Sequence, residues 1–226
     1  MMTDRFKNSL KFPLAAFALF FTVNLSAQEA TPEPIQNPPV NVEAMPGSRG
    51  VSFQMTLDKK LRSVPQIGFF GVTDFNSNWG NDQLGDLMIM GKATVDLYKG
   101  LKAGAGFQST PGGIRPSAAL IYTYANPEWL VIAMPRMDVS RNANIEGLGI
   151  VEYKPALSDK WSLYTRLQGT YVHDMTADLH TRSYIRSRVG FTYKEFTFGA
   201  GANLEYYGPL KHRQNNIGGF LQVALF

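Results

Sequence analysis

Two histidine-containing stretches carry the residue types best suited to chemistry. HDMTADLH places His173, Asp174, Asp178 and His180 close together, and His212 follows in GPLKHRQ. A histidine beside a carboxylate can activate water for hydrolysis, and two histidines with two aspartates can bind a divalent metal. His173, Asp174, His180 and His212 are therefore the candidate catalytic groups of a surface hydrolase.

Other features of these stretches argue against such chemistry. The spacing of the histidines and aspartates matches no metal-binding motif. The nearby Ser183 lacks the strand-to-helix turn that exposes a serine nucleophile. Histidine and aspartate are also common in solvated loops. The preferred prediction is a non-enzymatic protein without a metal or a cofactor, and surface hydrolysis is the alternative.

A row of arginines forms a second candidate site. Arg182, Arg186 and Arg188 fall on one face of a segment whose polarity alternates. Guanidinium groups suit carboxylate or phosphate ligands. The competing interpretation, which we favour, pairs these arginines with carboxylates on neighbouring segments. The predicted ligand or ion-pairing residues are Arg166, Arg182, Arg186, Arg188, Glu146, Glu152 and Glu205.

Strands must position these residues, because apolar side chains alternate with polar or small ones from about residue 66 onwards. A period of two residues indicates β-strand. In the segment 160–172, Trp161, Leu163, Leu167 and Tyr171 share one face, and Arg166 lies on the other. The ten predicted strands cover residues 66–76, 86–98, 101–109, 117–124, 128–138, 144–154, 160–172, 182–194, 196–206 and 217–226.

The ends of these segments distinguish a membrane barrel from a soluble β-sandwich, which also alternates. Aromatic residues recur near both ends of the apolar faces, as with Trp161 and Tyr171 or Phe196 and Tyr206. The two bilayer interfaces select aromatic rings at these levels. Short breaks such as KG also alternate with long ones such as HDMTADLHT. This alternation favours a barrel with its longer loops on one side.

The pattern over residues 66–226 resembles bacterial outer-membrane β-barrel proteins as a class, without a motif specific to one family. The chain ends in NIGGFLQVALF, and the last strand of such proteins commonly ends in an aromatic residue that the barrel assembly machinery reads. The resemblance implies an assembly signal at Phe226, with Phe220 on the same face. It also implies an outer-membrane location in contact with lipid. The expected fold is all-β: a closed antiparallel transmembrane β-barrel of about ten strands in up-and-down meander order.

The first 65 residues differ in character from the barrel segment. Residues 1–27 have a basic head, a short apolar body and LSA before Gln28, the pattern of a cleaved signal peptide. Residues 28–50 are proline-rich and predict a periplasmic linker. Residues 51–65 alternate well enough for an eleventh strand, but an odd strand lacks a partner. We place this uncertain segment near the barrel rim.

Composition narrows the function further. The net charge of +4, from 22 basic and 18 acidic residues, is spread without a basic cluster, so no nucleic-acid partner is expected. The absence of cysteine excludes disulfides and thiolate chemistry. A ten-strand barrel is only slightly wider than side chains can fill, and its inward charges nearly balance. We predict a narrow channel for a small solute, or a structural or interaction element, with a polar, charge-paired lumen.

Overall fold

The computed structural model describes residues 37–80, 85–140 and 143–226, which form a closed antiparallel β-barrel of twelve strands. The signal peptide predicted for residues 1–27 lies outside the described residues. The strands are β1 Val40–Pro46, β2 Gly50–Lys60, β3 Ile67–Asn78, β4 Asp86–Tyr98, β5 Leu101–Thr110, β6 Gly113–Ala125, β7 Trp129–Asp138, β8 Asn144–Tyr153, β9 Trp161–Asp174, β10 Leu179–Tyr193, β11 Phe196–Tyr207 and β12 His212–Leu225.

Each strand pairs with its neighbours in the chain, and β1 closes the barrel against β12. Val40 lies opposite Leu225 in this closing pair, and Pro46 lies opposite Val51 in the β1–β2 hairpin. Closure leaves no sheet edge with unpaired backbone groups, which hydrocarbon could not solvate. The predicted resemblance to outer-membrane β-barrels is confirmed at the level of architecture.

The prediction of about ten strands is wrong, because the two segments before residue 66 supply β1 and β2. Residues 40–46 had been assigned to the linker and residues 51–60 to the rim segment. The sequence VNVEA alternates, and its neighbouring prolines lie before it at Pro39 and at the final strand position, Pro46. Proline is tolerated at strand ends, where its missing N–H costs no ladder hydrogen bond. With both strands present the count is even and every strand has two partners.

The hairpin connections are shorter than the sequence suggested. In the stretch TPGGIRP, only two residues, Pro111 and Gly112, separate β5 from β6. Gly113 follows with φ of 112°, a conformation that side chains disfavour. His173, His180 and His212 lie within strand ends rather than in the loops where they were predicted. On the predicted outer side, β9, β10 and β12 therefore continue into stretches that were predicted as loops.

The two faces of the wall differ as the alternation predicted. On β9, Trp161 and Leu167 are 40% and 56% exposed on the outward face, whereas Tyr164 and Gln168 are 1% exposed in the lumen. Outward aromatic residues lie near both ends of the strands; Trp129 stacks on Tyr153 with ring centroids 4.4 Å apart. Within the described ranges, no helix is long and apolar enough to cross a bilayer.

Candidate functional site in the lumen

A buried glutamate of β1 holds two arginines, one from β9 and one from β10. One Glu43 oxygen accepts hydrogen bonds from Nε and Nη2 of Arg188 at 3.0 and 2.8 Å. Its other oxygen accepts one from Arg166 Nη2 at 2.7 Å. All three side chains are at least nine-tenths buried. Sequence reasoning identified both arginines but missed Glu43, because it lay in the supposed linker.

Ion pairs cross the barrel at a second level and join β10 and β11 to β3 and β4. Arg186 of β10 pairs with Asp74 of β3 and, at 2.5 Å, with Glu205 of β11. Arg182 lies 2.7 Å from both Asp86 of β4 and Glu205. Around the closed sheet, β10 reaches β4 through β11, β12, β1, β2 and β3, halfway round the barrel. We call these five residues the cross-lumen bridge.

Aromatic rings support the arginines of the bridge. The Arg182 guanidinium lies 5.4 Å from the Tyr184 ring centroid and 5.0 Å from that of Tyr207, and Arg186 lies 4.3 Å from Tyr184. Such contacts stabilise a desolvated cation. The Tyr207 hydroxyl lies 2.5 Å from Glu205 Oε2 and 3.0 Å from Asp86 Oδ2. These contacts surround the two arginines on several sides and hold each in one conformation.

The predicted lumen carboxylates Glu146 and Glu152 form ion pairs, as expected. Their partners are not the arginines of the row Arg182, Arg186 and Arg188. Glu146 accepts from Arg136, whose Nη2 lies 2.6 Å away and whose Nη1 lies 2.6 Å from Asp138. Glu152 accepts a hydrogen bond from the Tyr164 hydroxyl at 2.9 Å and lies 3.1 Å from Lys154. Glu205 is the predicted carboxylate that does pair with the arginine row.

A cluster of apolar side chains also lines the lumen, which the sequence reading did not foresee. Buried hydrophobic side chains from β3 to β8 point inward and pack together: Phe70, Val72, Met90, Ala119, Ile121, Ile132, Met134, Leu148 and Ile150. We call this set the aliphatic wall. Stretches such as LVIAMP of β7 indicate the aliphatic wall, because they are apolar on both faces, as strands buried on both sides are.

Two spaces in the lumen differ greatly in size. A vestibule of about 350 Å³ lies beside the bridge, and its lining includes Asp86, Arg115, Arg136, Arg182 and Tyr207. The space between the aliphatic wall and Gln168 is only about 20 Å³, room for roughly one water. Side chains thus fill the lumen closely beside the aliphatic wall.

The predicted histidine site is separated into two pairs at the rim. His173 Nε2 lies 3.0 Å from Asp178 Oδ1. His180 instead contacts Ser183 Oγ at 3.0 Å and the Gly208 carbonyl oxygen at 2.7 Å.

The remaining predicted rim residues join neither pair. Asp174 accepts hydrogen bonds from the backbone amides of Ala177 and Thr176, which lower the pKa of its carboxyl below the ordinary value. His212 begins β12 and is exposed. Across residues 37–80, 85–140 and 143–226, no three acidic or histidine side chains are grouped as metal ligands.

The two phenylalanines of the predicted assembly signal lie in different environments. Phe220 is 4% exposed inside the lumen, where it packs with Tyr164 at 6.0 Å between ring centroids. Phe226 follows the end of β12 and is 95% exposed. The outward face of β12 carries Leu221 and Leu225. Phe220 therefore does not face lipid, and the assembly signal predicted at Phe226 and Phe220 stays a prediction.

Comparison with known proteins gives a limited result. No family model matches the chain, and no curated protein matches it. Among solved structures, the chain is similar to the NanC porin in a rhombohedral crystal form, with 12% sequence identity and a TM-score of 0.49. The alignment covers 83% of this chain and 99% of that one. At this similarity the function of the neighbour does not transfer.

Proposed function

We propose that the protein is an integral outer-membrane β-barrel that acts as a narrow, normally closed channel for a small solute. The charge-paired lumen is part of this proposal, and passage of a solute through it requires no enzymatic activity of the lumen residues. Export through the signal peptide of residues 1–27, contact with lipid and recognition of Phe226 by the assembly machinery complete it.

The outward face supports the membrane location. Large apolar side chains such as Phe69, Leu120, Val189 and Ile217 are between 46% and 60% exposed around the barrel. A soluble monomer rarely exposes continuous apolar surface of this extent. The wall carries its charged groups almost entirely on the inside, which is the arrangement that a bilayer selects.

The single observation that carries the channel role is the cross-lumen bridge. Arg186 and Asp74 are both 2% exposed although they belong to opposite walls. Packed hydrophobic residues would close the lumen at least as stably, because burying two charges costs several kcal/mol before their attraction repays it. Reversible closure is the property that ion pairs provide and a continuous apolar core does not.

Planar-bilayer recording tests the proposal. The wild-type barrel should show no steady single-channel current at moderate voltage. The double variant Asp74→Ala/Arg186→Ala removes both partners, so no buried charge is left alone in that pair, and it should show discrete conductance steps. A large, constant conductance in the wild type, or a silent double variant that is correctly inserted, would contradict the closed-channel role. Heat-modifiable migration in detergent verifies folding of each variant.

A further inference from the structure

A serine and a histidine at the outward side of β10 have the geometry of a nucleophile and its base. Ser183 Oγ lies 3.0 Å from His180 Nε2, within the range for a catalytic pair. His180 Nδ1 lies 2.7 Å from the carbonyl oxygen of Gly208, in the turn before β12. A third group therefore fixes the imidazole, as in hydrolases that use a serine nucleophile.

The Gly208 contact also fixes the tautomer of a neutral His180. A carbonyl oxygen only accepts hydrogen bonds, so Nδ1 must carry the proton. Nε2 is then left with a lone pair and accepts the hydrogen bond from the Ser183 hydroxyl. This is the state in which a histidine can remove the serine proton. A β-bulge between His180 and Arg182 makes the contact possible, because it brings residues 180 and 183 to the same side of the strand.

The pair lies on the outward face, apart from the lumen. Ser183 is directly opposite Tyr171 of β9 and Tyr206 of β11, and both belong to the outward set. The Tyr171 ring also packs on His180, with centroids 5.4 Å apart. Neighbouring Ile185 is 52% exposed. A substrate would therefore approach from the surroundings of the barrel.

An apolar groove begins next to this pair. A cavity of about 620 Å³ on the wall is lined by residues that include Leu120, Pro135, Gly147 and Tyr171. Pro135, Gly147, Tyr171 and Ser183 follow one another as directly paired residues of β7, β8, β9 and β10. Adjacent strands lie about 4.8 Å apart, so the groove floor at Gly147 is about 10 Å from Ser183 along this row.

Small side chains and a gap in the backbone pairing between β6 and β7 form the groove. Gly147 has no atoms within 4 Å of the position a Cβ would take, so the floor is open there. The β6–β7 pairing passes from Ala119–Arg136 to Tyr122–Ala133 without an intermediate pair. Pro135 lies in this interval and lacks the N–H that would bond to β6.

We propose that Ser183 and His180 hydrolyse carboxylic esters of long-chain fatty acids, with the acyl chain bound in the groove. Ser183 Oγ forms a bond to the ester carbonyl carbon as its proton passes to His180 Nε2. The bond to the alcohol oxygen then breaks, and His180 returns the proton to the departing alcohol. Water, activated by the same imidazole, releases the fatty acid and restores Ser183. The acyl-chain assignment rests on the proposed membrane location, because only a lipid-facing groove meets such chains.

Active-site labelling tests the serine directly. The folded barrel in detergent is treated with a fluorophosphonate and analysed by intact-mass and peptide mass spectrometry. One adduct at Ser183 is expected, together with hydrolysis of p-nitrophenyl palmitate. Ser183→Ala should abolish the adduct and reduce hydrolysis at least 100-fold, and His180→Gln should slow both. Ser187→Ala is the matched control, because Ser187 lies on the same face of the same strand, and it should behave as the wild type.

A variant with a filled groove tests the acyl-chain assignment separately from the hydrolysis of the ester bond. Gly147→Leu should reduce turnover of the palmitate ester at least tenfold and leave that of the acetate ester unchanged. Equal effects on both esters would overturn the groove assignment. A wild type that is unlabelled at Ser183 and no more active than Ser183→Ala would overturn the whole inference. Heat-modifiable migration and insertion into vesicles are scored separately, so failure of the proposed membrane location is recognised independently of activity.

Discussion

Two regions of the lumen fill the barrel interior by different physical means. In the aliphatic wall, apolar side chains such as the fully buried Ile121 and Met134 pack together. In the ionic region, which comprises the pairs of Glu43 and the cross-lumen bridge, buried arginines pair with carboxylates, as Arg186 does with Asp74. Dispersion and exclusion of water hold the first region together. Ion pairs hold the second region together, and water can replace them when the geometry changes.

Under the proposed channel role, the aliphatic wall provides stability and the ionic region provides the gate. A change in the aliphatic wall should alter stability without opening the lumen. A change in the ionic region should alter both, and its effect should depend on whether one partner or both are removed. The following predictions test this division, beginning with the largest expected effect.

Removal of one carboxylate from the Glu43 cluster, formed by Glu43, Arg166 and Arg188, should be the most damaging. Glu43→Ala leaves two buried guanidinium groups without their shared partner, and the free energy of unfolding should fall by about 3–5 kcal/mol. Unfolding by urea in lipid vesicles measures the change. Asp96→Ala is the control, because the side chains of Asp96 and its partner Lys60 are both 34% exposed. An equal loss in the two variants would show that burial of the cluster is unimportant.

Truncation in the aliphatic wall should cost somewhat less. Ile121→Ala removes a fully buried side chain and should lower the free energy of unfolding by about 3 kcal/mol through lost transfer energy and a cavity. Its neighbour Leu120, 47% exposed on the outward face, provides the control Leu120→Ala, with a smaller loss. Neither variant should conduct in a planar bilayer. A conducting Ile121→Ala would place part of the gate in the aliphatic wall.

Loss of a single hydroxyl in the bridge should have a moderate effect. Tyr207→Phe keeps the ring over Arg182 and removes the hydroxyl that contacts Glu205 and Asp86. The free energy of unfolding should fall by about 2 kcal/mol, the range for a hydrogen bond to a charged group. Tyr206→Phe, on the outward face of the same strand, should change it much less. The same equilibrium unfolding experiment distinguishes these outcomes.

The exposed ion pair at the rim should contribute least. His173 lies beside Asp178, whose side chain is 95% exposed, and water and salt screen such a pair. Asp178→Ala should leave the unfolding midpoint unchanged within error at low and at high salt. A clear loss of stability at low salt would show that the rim pairs contribute to closure of the barrel.

The alternation of polarity was sufficient to predict the faces of the strands. It placed Arg166, Arg182, Arg186 and Arg188 in the lumen, and Glu205 among their partners, because the period of two residues is independent of tertiary context.

The remaining features depend on pairings that the sequence does not display. Prolines beside β1 hid that strand, because a proline is informative only when its position within a strand is known. The alternation of β2 was recognised, but without β1 it lacked a partner. Glu43 and Asp74 join the arginines across the lumen, and such contacts between distant walls leave no local pattern. The contact of His180 with Ser183 depends on a β-bulge, which changes which residues share a face.

Accessibility of the lumen itself tests the central claim most directly. The chain has no cysteine, so Gln168→Cys introduces a single thiol beside Arg186, its directly paired neighbour on β10. Gln168 is 1% exposed, and a membrane-impermeant methanethiosulfonate should label the cysteine slowly when the bridge is intact. In the background Asp74→Ala/Arg186→Ala, labelling should accelerate at least 100-fold. Equal rates in the two backgrounds, with both barrels folded, would contradict closure by the cross-lumen bridge.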